Sequence, residues 1–213
     1  MRQTSIEFRD KSLSLEGIIT MPQRSLPPFP AVIVCHPHPF FGGSMDHKLV
    51  KILSQALDEE AIATLRFNFQ GADHSRGILN SGPAEQQSLE VALNLLRDWR
   101  GVDRKRIGMA GFSFGASVIL DGLSRYKEVK AIALISPPVS ALRRSPIQKD
   151  RRPKLVLVGE LDRLVSLSQL TETIATFQPP AEFQIIPSAN HGLADHESET
   201  ATRVAHFFRR VLE

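Results

Sequence analysis

Residues 107–115 read Ile-Gly-Met-Ala-Gly-Phe-Ser-Phe-Gly, an apolar run that leads into a serine with a glycine two positions away on each side. The run 107–110 predicts a short strand, and the segment that continues to Leu123 predicts a helix. The pattern G-x-S-x-G between a strand and a helix is typical of a sharp turn, in which side chains at the glycine positions would strike neighbouring elements. Such a turn raises the hydroxyl group of Ser113 above the carboxyl edge of a sheet. Ser113 is therefore the candidate nucleophile, and the alternative is a tight turn with an incidental serine.

Strands and helices alternate along the chain, and this alternation predicts one doubly wound, mostly parallel α/β sheet. Continuous apolar runs such as 31–35 are typical of central strands covered on both faces, and a 3.6-residue apolar spacing predicts helices packed on the sheet. The predicted strands cover residues 4–9, 12–20, 31–35, 61–67, 107–110, 129–135, 155–158 and 183–186. The predicted helices cover residues 46–59, 83–99, 114–123, 166–178 and 197–212. One sheet accounts for the whole chain, so residues 1–213 are expected to form a single domain.

Length and composition argue against several classes of protein. A chain of 213 residues, 42% of them hydrophobic, can bury an adequate core without disulfides or a structural metal. The single cysteine cannot form an internal disulfide, which fits a reducing compartment, and a cytoplasmic location is expected. Residues 1–5 lack the apolar run of a signal peptide, and no stretch approaches the roughly 18 apolar residues of a membrane span. No membrane contact is therefore expected.

The charges are close to balance, with 26 basic residues, 23 acidic residues and a net charge of +3. Nucleic-acid binding would require the basic excess to be gathered on one face, so no nucleic-acid partner is expected. The one dense basic segment is interpreted as a solvated loop, with an anion-attracting rim beside a pocket as the alternative. It contains Arg143, Arg144, Lys149, Arg151, Arg152 and Lys154. The sequence does not fix the oligomeric state and leaves a homodimer open.

A serine hydroxyl group is a weak nucleophile unless a base removes its proton, so an acid and a histidine should follow Ser113 at the ends of later strands. Asp162 follows the predicted strand 155–158, and His191 follows the predicted strand 183–186. Both positions fall at carboxyl ends of strands, where open α/β sheets bind their ligands. The competitors for the acid are Glu160 and Asp195, although Asp195 lies where a helix N-cap is wanted. Asp162 and His191 could also be ordinary solvated loop residues.

The loop after the strand that ends at Cys35 is expected to supply one N–H group of an oxyanion hole. Proline has no N–H group, so the prolines on either side of His38 cannot donate, and the predicted donors are the backbone N–H groups of His38 and Phe114. A rival interpretation is a metal site built on His36 and His38, but the following Asp46 is too far along the chain for a zinc pattern. No metal and no cofactor are expected, and Cys35 is interpreted as a core residue.

These motifs together resemble the α/β-hydrolase fold. The segment 36–48, which reads H-P-H-P-x-x-G-G-x-M-D-x-K, is similar to that of small lidless bacterial hydrolases related to dienelactone hydrolases and Xaa-Pro dipeptidyl-peptidase-like proteins. The resemblance continues through Arg-Phe-Asn-Phe at 66–69, Gly-Glu-Leu-Asp at 159–162 and Asn-His at 190–191. Two features depart from it: the nucleophile is serine rather than the cysteine of dienelactone hydrolases, and 70–75 lack an arginine and a glycine of the pattern R-G-x-G-x-S.

The resemblance implies a serine hydrolase that cleaves small soluble carboxylic esters or thioesters through an acyl-enzyme intermediate. The connection 136–154 is too short for a lid domain, so an open site is expected. Two alternatives remain open: a peptidase or amidase acting on small Xaa-Pro-like substrates, and a non-catalytic binding protein on the same fold.

Overall fold

The computed structural model describes residues 1–10, 13–72 and 82–213. In these ranges the chain forms eight strands and six α-helices. The strands are β1 (Arg2–Asp10), β2 (Leu13–Met21), β3 (Phe29–Cys35), β4 (Ala63–Phe67), β5 (Val102–Phe112), β6 (Val129–Ile135), β7 (Lys154–Gly159) and β8 (Glu182–Ile186). The helices are α1 (Lys48–Glu59), α2 (Pro83–Asp98), α3 (Phe114–Asp121), α4 (Val139–Arg144), α5 (Leu167–Ile174) and α6 (Glu197–Leu212).

The eight strands form one sheet in the order β1-β2-β4-β3-β5-β6-β7-β8. Strands β1 and β2 pair antiparallel, as do β2 and β4, and every other pair is parallel. The chain moves from β3 outward to β4 and then crosses to β5 on the other side of β3. This reversal creates a crevice at the carboxyl ends of β3 and β5, where ligands of open α/β sheets bind. The prediction of a single-domain, mostly parallel α/β fold is confirmed.

Helices cover both faces of the sheet, each over its own apolar cluster. On one face, Leu53 of α1 and Phe208 of α6 are fully buried in the same cluster. On the other face, Leu93 of α2, Ile119 of α3 and Leu170 of α5 are buried against the opposite side of the strands. The central strands are therefore shielded from water on both sides, which explains why their sequences are continuous apolar runs.

The interpretation of the basic segment as a solvated loop is wrong for two of its residues. Lys154, the first residue of β7, is buried, and its Nζ donates to the carbonyl oxygens of Asp150 and Pro179 at 2.7 and 3.1 Å. Arg152 pairs with Asp150 at 2.6 Å and also donates to the carbonyl oxygen of Tyr126. Buried carbonyl groups need donors, and these cations supply them at the amino end of β7, opposite the crevice.

The same connection contains two short helical elements that the sequence interpretation missed. Helix α4 occupies 139–144, and a 3₁₀ turn occupies Pro146–Lys149. Helix α4 buries only Ala141 and Leu142, too few apolar positions to show a helical period. The connection holds no lid domain over the carboxyl edge of the sheet. Within the described parts of the chain, no helix is long and apolar enough to cross a membrane.

Candidate active site

Ser113 occupies the turn between β5 and α3, and its backbone is strained. Its φ of 50° and ψ of −103° lie in a region that residues with a side chain rarely adopt. Its N–H group donates to the carbonyl oxygen of Ile135 at the end of the neighbouring β6, at 2.8 Å. At Gly115 an added Cβ would lie 2.4 Å from the carbonyl oxygen of Cys35. The glycine lets α3 begin directly against the end of β3, as the sequence pattern predicted.

We expect Gly115→Ala to lower the free energy of unfolding by about 1–3 kcal/mol, because the new methyl group must displace the backbone at the end of β3. Denaturant unfolding followed by circular dichroism measures the change. Gly192→Ala is the matched control: an added Cβ there has only the side-chain oxygen of Asn190 nearby, at 3.5 Å. Equal stability of the two variants would contradict the close approach of α3 to β3.

The structure brings the three predicted side chains into one hydrogen-bonded chain. Nε2 of His191 lies 3.0 Å from Oγ of Ser113, and Nδ1 of His191 lies 2.8 Å from Oδ2 of Asp162. The second oxygen of Asp162, Oδ1, accepts the backbone N–H groups of Leu164 and Val165, each at 2.9 Å. Both oxygens of the carboxylate are thus held, so Asp162 fixes the orientation of the imidazole ring.

The environment of Asp162 keeps its carboxylate charged. Burial alone raises the pKa of Asp162, but hydrogen bonds from His191 and from the backbone N–H groups of Val165 and Leu164 outweigh burial, and the net pKa is below its usual value. An ionised Asp162 accepts the Nδ1 proton of His191, which leaves Nε2 without a proton and free to accept one from Ser113. The Asp162 side chain is fully buried, whereas that of His191 is 21% exposed.

The loops that carry Asp162 and His191 are joined to each other by backbone contacts. The N–H group of Leu161 donates to the carbonyl oxygen of Ala189 at 2.8 Å. Gly159 permits this approach, since a Cβ there would lie 2.4 Å from the same carbonyl oxygen. Glu160, the first competitor for the acid, accepts the N–H group of Ser188 at 2.9 Å. Its carboxylate therefore holds the turn before His191, while Asp162 contacts the imidazole ring.

Asp195, the second competitor, was expected to cap α6, and this is wrong. His196 occupies the N-cap position and makes no capping bond through its side chain, and Asp195 has a φ of 65°. The carboxylate of Glu197, the first residue of α6, pairs with Lys48 at 2.8 Å. A carboxylate in the first turn thus places negative charge at the positive end of the helix dipole, where a capping aspartate was expected.

The predicted oxyanion loop lies beside the serine turn. His38 precedes a 3₁₀ turn, Pro39–Phe41, and its Nδ1 accepts the N–H group of Phe40 at 3.2 Å. The rings of His38 and Phe114 are in contact, with their centroids 4.8 Å apart. Among the described residues, the backbone N–H groups of His38 and Phe114 donate no hydrogen bond. For Phe114 this is expected, because it is the first residue of a helix. Their role as oxyanion donors remains a prediction.

In the rival interpretation, a metal site, the side chains that would bind the metal already have hydrogen-bond or ion-pair partners. His36 is buried; its Nδ1 lies 2.6 Å from the carbonyl oxygen of Pro37, and its Nε2 accepts the N–H group of Phe69 at 3.1 Å. Asp46 pairs with Arg66 at 2.8 Å. In the part of the chain that the structure describes, no three His, Cys, Asp or Glu side chains gather as a metal site would require. Cys35 is a buried core residue, and burial raises the pKa of its thiol far above its usual value.

The sequence interpretation did not explain the Arg-Phe-Asn-Phe segment, which spans the end of β4, and the structure does. Arg66, nearly buried, donates to the carbonyl oxygen of Met45 at 2.6 Å, and the side-chain oxygen of Asn68 accepts the N–H group of Met45 at 2.7 Å. These two side chains fix the far end of the loop that begins at His36. The available signal was a charged residue, Arg66, inside an apolar strand run, with the polar Asn68 just after that strand. The departure from R-G-x-G-x-S falls partly on 73–75, which lie outside the described residues.

Comparison with known proteins agrees with this geometry. A family model described as an alpha/beta hydrolase domain matches residues 31–212. An uncharacterized protein of Rickettsia prowazekii is 28% identical over 173 residues, which cover 78% of this chain and 72% of that protein. An alpha-beta serine hydrolase homologue from Coxiella burnetii has a TM-score of 0.82 at 29% identity, covering 99% of this chain and 97% of that one. A serine hydrolase without a lid from Xanthomonas campestris has a TM-score of 0.85 at 27% identity, covering 99% and 95%.

Proposed function

Because the chain belongs to the alpha/beta hydrolase domain family and is a hydrolase, we propose that it cleaves small carboxylic esters or thioesters through an acyl-enzyme intermediate. The observation that carries this proposal is the hydrogen-bonded chain from Ser113 through His191 to Asp162. A serine hydroxyl group within 3.0 Å of an imidazole nitrogen, itself oriented by a buried carboxylate, is the arrangement that activates serine as a nucleophile.

In the first half of the proposed reaction, Oγ of Ser113 attacks the carbonyl carbon while Nε2 of His191 takes the hydroxyl proton. The carboxylate of Asp162 stabilises the imidazolium that forms. The negative oxygen of the tetrahedral intermediate accepts hydrogen bonds from the N–H groups of His38 and Phe114, and losing one such donor typically lowers the rate by about 10²- to 10³-fold. The intermediate collapses, and the leaving group departs with the proton from His191.

In the second half, a water molecule attacks the acyl group on Ser113. His191 takes a proton from this water and then returns it to Oγ of Ser113 as the ester bond breaks. The carboxylic acid is released and the serine is restored, so the three side chains complete a cycle without a further co-reactant. In the described parts of the chain no lid domain lies between β6 and β7, and an open approach of substrate from solvent to the serine is part of this proposal.

A panel of substrates tests the reaction class. We expect native protein to hydrolyse p-nitrophenyl acetate and an acetyl thioester, to turn over aminoacyl and prolyl arylamides far more slowly, and to react with a fluorophosphonate probe. Turnover confined to the arylamides would assign the protein to peptidases instead. Absence of both turnover and labelling would indicate a binding protein that keeps the fold without the chemistry.

A further inference from the structure

Large apolar side chains are exposed at the edge of the sheet that carries Ser113. In the described ranges, seven large hydrophobic residues are exposed, and four of them lie on two loops at this edge. Phe40 and Phe41, on the loop after β3, are 85% and 86% exposed. Leu161 and Leu164, on the loop after β7, are 57% and 77% exposed. Single exposed apolar residues are ordinary, but their concentration around one site indicates binding of an apolar group.

The strand order places these two pairs on opposite sides of the serine. Strand β3 is the neighbour of β5, and β7 lies two strands beyond β5 in the other direction. With adjacent strands about 4.8 Å apart, the two loops are separated by roughly 14 Å, and Ser113 lies between them. We call Phe40, Phe41, Leu161 and Leu164 the apolar rim.

Each side of the apolar rim is tied to the site by contacts of its own loop. The rings of Phe40 and Phe41 lie 5.0 and 6.0 Å from the ring of His38, which contacts Phe114 next to the nucleophile. On the other side, the N–H group of Leu164 donates to Asp162 at 2.9 Å. The loops that carry the rim are therefore held by the same hydrogen bonds and ring contacts that build the site, so ordering their backbone adds little cost to binding.

The two sides of the rim face different parts of an ester. The leaving oxygen must lie within reach of Nε2 of His191, which follows β8 and therefore approaches Ser113 from the side of β7. An acyl chain that extends away from the leaving group would then reach the side of β3, where Phe40 and Phe41 lie. Building on the function proposed above, we propose that Phe40 and Phe41 bind an apolar acyl chain and that Leu161 and Leu164 bind an apolar alcohol or thiol group. The preferred substrates are then esters or thioesters with hydrocarbon on both sides of the carbonyl.

Two substrate series separate the two sides of the rim. The first is p-nitrophenyl esters from acetate to hexanoate, and the second is n-alkyl acetates from methyl to pentyl, both kept below their solubility limits. A fully buried methylene group contributes about 0.8 kcal/mol, so four half-covered methylene groups are expected to raise kcat/KM about tenfold in native protein. The readout is the ratio of kcat/KM between the longest and shortest members of each series.

We expect the double variant Phe40→Ala/Phe41→Ala to bring this ratio close to one in the acyl series. The double variant Leu161→Ala/Leu164→Ala should bring it close to one in the alkyl series. Leu26→Ala is the matched control, since Leu26 is 89% exposed but precedes β3, at the opposite edge of the sheet; both of its ratios should equal those of native protein. Circular dichroism and Ser113 labelling by a fluorophosphonate verify that each variant is folded.

Native-like ratios in both double variants would overturn the inference. If both ratios stay near one below the solubility limits and a gain appears only when the longest esters are assayed above them, the inference would be overturned in favour of a lipid surface. Dissociation of a dimer in the rim variants, with both ratios unchanged, would overturn it in favour of a second copy of this chain. In each of these cases acetate turnover and Ser113 labelling persist, so the proposed hydrolysis stands; loss of both in native protein would instead defeat the proposed function.

Discussion

Ser113→Ala is expected to lower kcat for ester hydrolysis by roughly 10⁴- to 10⁶-fold, because no other group can form the acyl-enzyme intermediate. The hydroxyl group of Ser113 is the one hydrogen-bonded to Nε2 of His191, at 3.0 Å. Removing it leaves the imidazole ring without a partner to activate. The residual rate should be that of water attacking a carbonyl group held in the oxyanion hole.

The measurement is the initial rate with p-nitrophenyl acetate, together with labelling by a fluorophosphonate probe and mass spectrometry of the labelled peptide. Ser124→Ala is the matched control, because Ser124 is an exposed serine beyond the end of α3, and its activity should equal that of native protein. Turnover by Ser113→Ala at more than a few per cent of the native rate would remove Ser113 from the mechanism.

Asp162→Asn is expected to lower kcat by about 10⁴-fold while leaving the fold intact. The backbone N–H groups of Leu164 and Val165 both point at one carboxylate oxygen, so an asparagine must place its carbonyl oxygen there. Its NH₂ group then faces Nδ1 of His191. Because that nitrogen can only accept from an amide, the imidazole proton moves to Nε2, which can no longer take the proton of Ser113.

Two further variants test whether Glu160 or Asp195, rather than Asp162, is the acid that orients His191. Glu160→Gln keeps an oxygen that can accept the N–H group of Ser188, and Asp195→Asn alters an exposed residue that lies outside the hydrogen-bonded chain from Ser113 to Asp162. Both are expected to keep kcat within a few-fold of the native value, in the same assay. If Asp162→Asn kept the native kcat while Glu160→Gln or Asp195→Asn lost it, the residue whose variant lost activity would be the acid.

Much of the fold could be predicted from the sequence because its signals are local. The run that became β6 was predicted at its observed bounds, Val129–Ile135, and the helix predicted over 197–212 is α6. Both follow from periodicity and burial within one element. The serine turn was equally readable, since a glycine-flanked serine between a strand and a helix is a local pattern, although the contact that Gly115 permits is with Cys35 at the end of β3.

Predictions that depended on distant partners were less accurate. Arg152 and Lys154 appeared as solvated cations because their acceptors, at Tyr126 and Pro179, lie far away in sequence. Asp195 is a different case: a short polar residue before a helix is the usual cap, but α6 begins two residues later, at Glu197. For the two cations, several chemically reasonable partners were available, and the fold selected among them.

The sequence by itself determined where the eight strands and the five longer helices lie, where the strained serine turn lies, and that an acid and a histidine follow at strand ends in that order. Only the tertiary structure decided that His191 lies 3.0 Å from a serine 78 positions away, and that Asp162, not Glu160 or Asp195, contacts its ring. The reason is that the hydrophobic periodicity of a segment indicates only which of its own residues are buried. The meeting of side chains depends on strand order and on loop-to-loop hydrogen bonds, which form only when the whole sheet is assembled.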